Sequence, residues 1–262
     1  MKKLVKVAAL AAMLILGGQA MAQTRGALFL GASFPMQDYG KFNEDFNDFA
    51  LYSTDITDDY AGAGIGFNAG LKWYFGVGVK GLGVMLSVDG IYNGPSSEVK
   101  TAYRDQESNY DGQLFDGSFS FNATPKYINV PAMLGLNYIY HINPNFGIYV
   151  EAGAGGNMRF ITKLETLTKT SLLGAETKTT STQNYDMAFG FAYQAGVGFE
   201  VSKNLVIGCS FYDLGRGQVK GEENVVSKTT IGDNTTTNKE THYNTFGTVH
   251  PYMIMARIGF SF

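Results

Sequence analysis

Three histidines are the residues of this sequence best suited to proton transfer near neutral pH, and they lie at positions His141, His242 and His250. An enzyme would have to place at least one of them beside a carboxylate. Asp55, Asp58 and Asp59 form the acidic cluster closest to meeting this need. Nothing in the spacing requires such a meeting. We therefore predict that the chain is not an enzyme and has no catalytic residue.

The same three aspartates are also candidates for holding a divalent cation, because hard cations prefer clustered carboxylate oxygens. Their spacing does not match that of a dedicated calcium-binding loop. A solvated acidic loop tip explains the cluster better. The sequence therefore predicts no metal site and no cofactor.

Charge and cysteine content exclude further classes of protein. The formal net charge is −3 at pH 7, and no segment is strongly basic. Because a nucleic-acid-binding surface needs a basic patch, nucleic acid is not an expected partner. The single cysteine, Cys209, can form no disulfide within the chain and lies between Ile207 and Phe211, as a small hydrophobic residue of a strand would.

The first 22 residues have the pattern of an export signal. Lys2, Lys3 and Lys6 precede an apolar run from Val7 to Leu16, and Ala20-Met21-Ala22 supplies small residues for cleavage before Gln23. The alternative is a membrane-anchoring helix. A helical span needs about twenty apolar residues, roughly twice the length of this run. We therefore expect a signal peptide at residues 1–22 and one exported domain at residues 23–262.

The exported part alternates large apolar residues with small or polar ones, with the period of two that is typical of transmembrane β-strands. Eight segments show this pattern: Arg25–Phe34, Gly62–Phe75, Leu82–Tyr92, Tyr127–Tyr140, Phe146–Phe160, Met187–Val201, Leu205–Leu214 and Val249–Phe262. The sequence thus predicts an all-β, eight-stranded antiparallel up-and-down barrel.

The connections between these segments alternate in length. Short ones lie at Gly76–Gly81, His141–Asn145 and Ser202–Asn204, and long ones at Pro35–Ala61, Asn93–Lys126, Ile161–Asp186 and Gly215–Thr248. Outer-membrane barrels have short periplasmic turns and long extracellular loops. The alternation of short and long connections therefore predicts that the protein lies in the outer membrane of a Gram-negative bacterium, with the short turns in the periplasm.

The two faces of each predicted strand differ in a way that identifies the solvent. In the last segment Ile254, Ile258 and Phe260 share one face, and Arg257 and Gly259 share the other. A soluble ligand carrier would turn its apolar face inward. Here the opposite face is too small and too sparsely charged to coat a soluble barrel, so we expect outer-membrane lipid to contact the apolar face. Aromatic residues near the segment ends are typical of membrane interfaces.

Several short motifs resemble those of the PorT-like outer-membrane β-barrel domains of the Bacteroidetes type. They are Lys126-Tyr127-Ile128-Asn129-Val130-Pro131, Tyr149-Val150-Glu151-Ala152-Gly153-Ala154-Gly155, Gln194-Ala195-Gly196-Val197-Gly198-Phe199-Glu200 and Phe211-Tyr212. The chain also ends Phe260-Ser261-Phe262, which looks like the terminal signal of such barrels. This resemblance implies that Phe260 and Phe262 are read by the barrel-insertion machinery, and it supplies no catalytic residue.

Charged residues on the small, polar face must point into the barrel, because an Arg or Lys facing lipid near the midplane costs about 2–4 kcal/mol. They are Lys72, Asp89, Glu151, Glu200 and Arg257, together with Gln194 and Arg159. Buried charges are tolerated when they are paired. We predict a salt-bridge network centred on Arg257, with Glu151 as its favoured partner because both lie at similar distances from the short-turn ends. The alternative is that these charges contact only trapped water.

The long connections are the natural place for recognition. Phe42, Phe46 and Phe49 have the spacing of a short amphipathic helix, or pack within their loop. The segments Lys163–Gln183 and Glu222–Thr241 are rich in threonine and can extend hairpins above the membrane. We predict a non-enzymatic barrel with a structural or surface-recognition role towards an extracellular partner. The alternatives are a narrow passive channel for small solutes and, third, an outer-membrane enzyme.

Overall fold

A closed antiparallel barrel of eight strands forms the main body of the computed structural model, which describes residues 24–36, 39–42, 62–111, 115–202 and 204–262. Its strands are β1 (Thr24–Pro35), β3 (Ala63–Gly76), β4 (Leu82–Pro95), β7 (Tyr127–Asn143), β8 (Phe146–Ile161), β11 (Ala188–Val201), β12 (Leu205–Asp213) and β15 (Tyr252–Ser261). They stand in the order β1-β15-β12-β11-β8-β7-β4-β3 around the wall. The predicted fold is confirmed. The expected signal peptide at residues 1–22 lies outside the described residues.

The predicted strand boundaries agree with the structure to within one residue, except that β4 and β7 each extend three residues further and the last strand starts three residues later. That strand begins at Tyr252 rather than at Val249, because Val249 ends a different strand and Pro251 separates the two. A proline has no backbone N–H to donate to a neighbouring strand, so it marks a natural break in the ladder.

The exterior of the barrel is apolar. Side chains that point away from the lumen and remain exposed include Leu30, Phe67, Leu136, Phe191 and Ile258. Cys209, which is also exposed, lies on this face between Ile207 and Phe211, as expected. A closed barrel satisfies all its backbone hydrogen bonds internally and can face lipid on every side. The chain is therefore an outer-membrane β-barrel. Among the described residues, no helix has the length and apolar character needed to cross a bilayer.

The long connections, expected as loops, form a second antiparallel sheet, which we call the loop sheet. Its strands are β2 (Gly40–Phe42), β5 (Ser108–Asp111), β6 (Phe115–Ala123), β9 (Leu164–Leu172), β10 (Ala175–Tyr185), β13 (Gly217–Ile231) and β14 (Asn234–Val249). A helix, α1 (Ser97–Gln106), precedes β5, and the Ser96 hydroxyl caps it by accepting a hydrogen bond from the Val99 N–H at 3.1 Å.

The loop sheet continues the barrel wall. Its order, β2-β14-β13-β10-β9-β6-β5, is the order in which the connected barrel strands stand around the barrel. Two-residue turns, such as Leu173-Gly174 with both φ angles positive, fix the register of its hairpins. The expected helix around Phe42 is wrong at that residue, because Phe42 lies in β2 and pairs with Gly247 of β14. Phe46 and Phe49 lie outside the described residues.

Candidate functional site

Four charged side chains meet in the middle of the lumen. Lys72 comes from β3, Asp89 from β4, Glu151 from β8 and Arg257 from β15, and each is 5% exposed or less. All four occupy inward positions of their strands, as the alternation of the sequence predicts. Sequence alternation assigns each side chain to the inner face, but it does not give its position along the barrel axis. We call these four residues the lumen network.

Arg257 contacts both carboxylates of the network. Its Nη1 lies 3.1 Å from Asp89 Oδ1, and its Nη2 lies 3.5 Å from Glu151 Oε1. The predicted partner Glu151 is thus a neighbour of Arg257, but Asp89 is closer. Arg257 also donates to the Ser210 hydroxyl at 2.6 Å and to the Tyr212 hydroxyl at 3.0 Å. Sequence reasoning missed both hydroxyls, because the pairing of strands across a lumen cannot be read from face alternation alone.

The remaining bonds complete the lumen network. Lys72 forms a buried ion pair with Glu151, and the Tyr212 hydroxyl donates to Asp89 at 2.8 Å. The Phe29 ring lies below both cations, with its centroid 5.3 Å from Lys72 Nζ and 5.3 Å from Arg257 Cζ. Two cations and two anions therefore share one site, which leaves no formal charge in excess.

Two glycines make room for the carboxylates of the lumen network. A Cβ atom at Gly70 would lie 1.9 Å from Asp89 Oδ1, and one at Gly196 would lie 2.9 Å from Glu151 Oε1. No real Cβ makes such contacts, so any larger residue would displace the acids. The small inward residues that the sequence shows thus serve the packing of this network.

Glu200 does not join the lumen network, and the prediction that it does is wrong. Glu200 forms an ion pair with Arg25 at the short-turn end of the barrel, where both strands begin or end. A small cavity of about 10 Å³ lies beside this pair and is lined by Asn137, Tyr149 and Val206 among others. That volume holds about one water molecule and no solute.

The other two inward polar residues also lie away from the centre. Arg159 donates to the backbone carbonyls of Leu214 and Gly215, at 3.3 and 2.6 Å, and so holds the connection that follows β12. The Gln194 amide nitrogen lies 3.5 Å from the Ser87 hydroxyl. Its backbone pairs with Gly153, two residues beyond Glu151 towards the loop end. Among the described residues, the side chains of Arg159 and Gln194 form no hydrogen bond to a member of the lumen network.

An apolar cluster closes the lumen at the loop end. Its buried members include Ile91, Tyr127, Leu214, Met253 and Tyr39. Tyr39 comes from the first connection, stacks edge-on against Tyr127 with ring centroids 5.0 Å apart, and accepts a hydrogen bond from the Asn129 amide at 2.9 Å. The loop end of the lumen is thus filled by apolar side chains, and the middle is filled by the charge-balanced lumen network.

Two of the three histidines pair with carboxylates, and the third lies at the other end of the barrel. His250 lies 3.0 Å from Asp213 at the rim of the barrel, and His242 lies 3.6 Å from Glu240 in the loop sheet. His141 lies near the short-turn end of β7. Asp55, Asp58 and Asp59 lie outside the described residues, so the proposed meeting with the histidines is untested. Within the described chain, no group of three possible metal ligands occurs.

The loop sheet has two faces of different character. One faces the space above the lumen and includes the buried side chains of Leu164 and Gln183, which pair with each other across strands. On this face hydroxyls pair across β10 and β13: Thr177 with Thr229 at 3.1 Å and Thr179 with Ser227 at 3.0 Å. The other face points outward and carries most of the charge.

Two titratable groups of the loop sheet are shifted by direct hydrogen bonds. The ammonium of Lys163, together with the Asn122 amide, lowers the pKa of the Glu165 carboxyl. The hydrogen bond that the Tyr243 hydroxyl donates to Asp186 raises the pKa of Tyr243. Both groups are accessible to solvent, so these pairs order the surface more than they stabilise it.

Known proteins offer little beyond the architecture. No protein-family model matches the chain, and no curated protein matches it. The chain is similar to the solved structure of OprG from Pseudomonas aeruginosa, with 14% identity, 93% of this chain and 98% of that chain covered, and a TM-score of 0.39. It is also similar to Ail, the attachment invasion locus protein of Yersinia pestis, with 18% identity, 91% and 98% coverage and a TM-score of 0.31.

A third similar structure is Neisserial surface protein A, with 11% identity, 93% of this chain and 100% of that chain covered, and a TM-score of 0.31. By name, OprG is an outer-membrane protein and the Neisserial protein is a surface protein. Likeness at this level carries no argument about function, and the barrel fold of this chain stands on its own strand pairing.

Proposed function

We propose that this chain is a non-conducting, non-enzymatic outer-membrane barrel whose loop sheet recognises a partner outside the cell. One observation carries the proposal: the wall continues beyond the barrel as an ordered seven-stranded sheet with exposed polar side chains. A barrel that only filled space in the membrane would not need this sheet, since short loops close eight strands equally well. We also propose membership of the PorT-like barrels, on the motifs given above.

A passive channel is a weaker candidate because of what fills the lumen. The lumen network occupies the centre, the cluster around Tyr39 and Met253 occupies the loop end, and the Arg25–Glu200 pair occupies the turn end. A solute would have to displace all three layers. An enzyme is weaker still, because the hydrogen bonds among the described residues bring no serine or cysteine to the His250–Asp213 pair.

Conductance in planar bilayers tests the closed lumen. We expect wild-type protein to conduct little, and Arg257→Ala to conduct more, because the truncation opens the central one of the three layers that fill the lumen. Leu136→Ala, on the lipid face, is the matched control and should behave as wild type. Stable ion-conducting openings of the wild type would overturn the closed-barrel part of the proposal.

Shortening the loop sheet tests the recognition part. The register pairs Thr166 with Ser181 and Asn224 with Thr241, so each hairpin can be cut at a paired position and closed with Asn-Gly. We expect the shortened barrel to insert and to keep its heat-modifiable band. Cells carrying it should lose binding to at least one member of a panel of immobilised polysaccharides and matrix proteins. Equal binding by both forms to the whole panel would overturn a role in recognition.

A further inference from the structure

Three lysines form a row across the outward face of the loop sheet. In the register of β9, β10 and β13, Lys178 lies directly opposite Lys169 on one side and directly opposite Lys228 on the other. Neighbouring strands lie about 4.8 Å apart, so the outer two Cα atoms are about 10 Å apart. We call these three residues the lysine row.

The lysine row faces outward. Leu164, Gln183 and Glu223 form another row across the same three strands. On each strand the lysine is five positions from the member of that row. An odd separation along a strand places two side chains on opposite faces of the sheet. Leu164 and Gln183 are buried above the lumen, and all three lysines are exposed. The ammonium groups are therefore presented to the medium.

Directly opposed like charges destabilise a sheet, and this row opposes them twice. Within the described residues, no carboxylate lies within ion-pair distance of Lys169, Lys178 or Lys228. The acids nearest in register, Glu176 and Asp116, belong to the next row towards the hairpin tips. On the other side, Lys239 of β14 adds a fourth cation, opposite Val226. A chain whose net charge is −3 thus concentrates cations on one patch.

The height of the row separates it from the membrane surface. Lys178 is seven residues beyond Tyr185, which packs against the apolar cluster at the loop end of the lumen. At about 3.4 Å per residue, this is about 24 Å along the strand. The phosphate groups of lipid lie close to the interface, so the row is placed for a partner that approaches from outside.

The lysine row also lacks what nucleic acid would need. Sequence-tolerant binding of single strands relies on aromatic side chains on which bases stack. Apart from Glu176, the outward neighbours of the row are hydroxyl-bearing or aliphatic instead, among them Ser171, Thr180, Thr230 and Thr237. Hydroxyls beside ammonium groups suit sulfate or carboxylate oxygens and the hydroxyls of sugars.

We propose that the lysine row, together with Lys239, binds an extended acidic polysaccharide, with Lys169, Lys178, Lys228 and Lys239 contacting successive anionic groups. The inference rests on the proposed function, since it names the partner class of the loop sheet. Binding lowers the repulsion within the row, because the anionic groups supply the counter-charges that the sheet itself does not place there.

The test measures binding of dextran sulfate, with neutral dextran of the same length as the blank, to the full chain in lipid nanodiscs. The variant is K169Q, K178Q and K228Q combined. The matched control is K80Q, K100Q and K220Q combined, which removes the same charge from exposed lysines outside the row. Both should keep the heat-modifiable band of the wild type.

We expect the wild type to bind dextran sulfate and not dextran, with affinity that falls as salt rises. The row variant should bind roughly tenfold more weakly and with a shallower salt dependence, because fewer counter-ions are released. The control should bind as the wild type does. Equal losses in both variants would overturn the proposal by showing that net charge alone is responsible, as would an absence of wild-type binding.

A single-stranded oligonucleotide bound more tightly than dextran sulfate would also overturn it, since the partner class would then be wrong. These failures leave the proposed function standing if shortening the loop sheet still abolishes binding to some other surface. If shortening the loop sheet changes binding to no surface at all, the proposed function itself is wrong.

Discussion

The lumen and the loop sheet treat charge in opposite ways. In the lumen network Arg257 and Lys72 face Asp89 and Glu151, and every charged group has an opposite charge within reach. In the loop sheet Lys169, Lys178 and Lys228 face one another. The difference follows from solvent: a buried charge without a partner costs several kcal/mol, whereas water and salt screen exposed charges to a fraction of that. Burial therefore enforces pairing, and exposure leaves charge available for a partner.

Breaking the lumen network should have the largest effect. Arg257→Met leaves two buried carboxylates for one cation, and we expect a loss of about 3–5 kcal/mol in the free energy of unfolding. Urea unfolding in lipid vesicles, followed by Trp73 fluorescence, measures it. The companion double variant Arg257→Met with Asp89→Asn restores neutrality and should recover much of the loss. A double variant as unstable as the single one would mean that Arg257 acts through packing rather than charge.

A smaller effect is expected at the turn end. Glu200→Gln removes the charge that Arg25 faces, but the Arg25 side chain is 23% exposed and water can replace part of the interaction. We expect a loss of about 1–3 kcal/mol in the same unfolding measurement. If Glu200→Gln destabilises the barrel as much as Arg257→Met does, the difference in burial does not explain the cost of losing a charge at the two sites.

The lysine row should respond in the opposite direction. Lys178→Gln removes the central charge, so the hairpin of β9 and β10 should gain about 0.2–1 kcal/mol at low salt. Slower amide hydrogen exchange at Thr177 and Thr179 reports the gain, and it should shrink as added salt screens the charges. Lys220→Gln, outside the row, is the control. Faster exchange in Lys178→Gln would contradict the repulsion.

A residue that belongs to neither region should affect stability least. The backbone of Phe262 pairs with Gly26 through two hydrogen bonds of 2.9 Å, and its ring is 69% exposed. Phe262→Ala should therefore change the stability of the inserted barrel by about 0.5 kcal/mol or less. The proposed role as an insertion signal predicts less inserted protein in cells. Wild-type amounts in the outer membrane would argue against that role.

Alternation along the chain was enough to predict the barrel and the inward face of all four members of the lumen network. It could not predict which of them meet. Arg257 and Asp89 lie on β15 and β4, which are not neighbours in the wall, and their approach across the lumen depends on strand tilt and stagger. The mistaken assignment of Glu200 has the same origin, because alternation carries no information about height.

The loop sheet was predicted only in part, for a related reason. Threonine-rich segments indicated hairpins, and the turn at Leu173-Gly174 is local enough to pair Lys169 with Lys178. Lys228 joins the row through the pairing of β10 with β13, which are far apart in sequence. The pairing of β10 with β13 follows from the barrel, because the order of the barrel strands decides which hairpins are neighbours.

The position of Arg257 in the last strand bears on the order in which the barrel assembles. Before β15 docks between β12 and β1, a nascent barrel contains Lys72, Asp89 and Glu151, with one cation for two carboxylates. A premature ring of seven strands would bury that imbalance, so it is disfavoured until the final strand delivers the missing positive charge. Closure of the wall and neutralisation of the interior are thus one cooperative event, and an incomplete barrel is electrostatically distinct from a finished one.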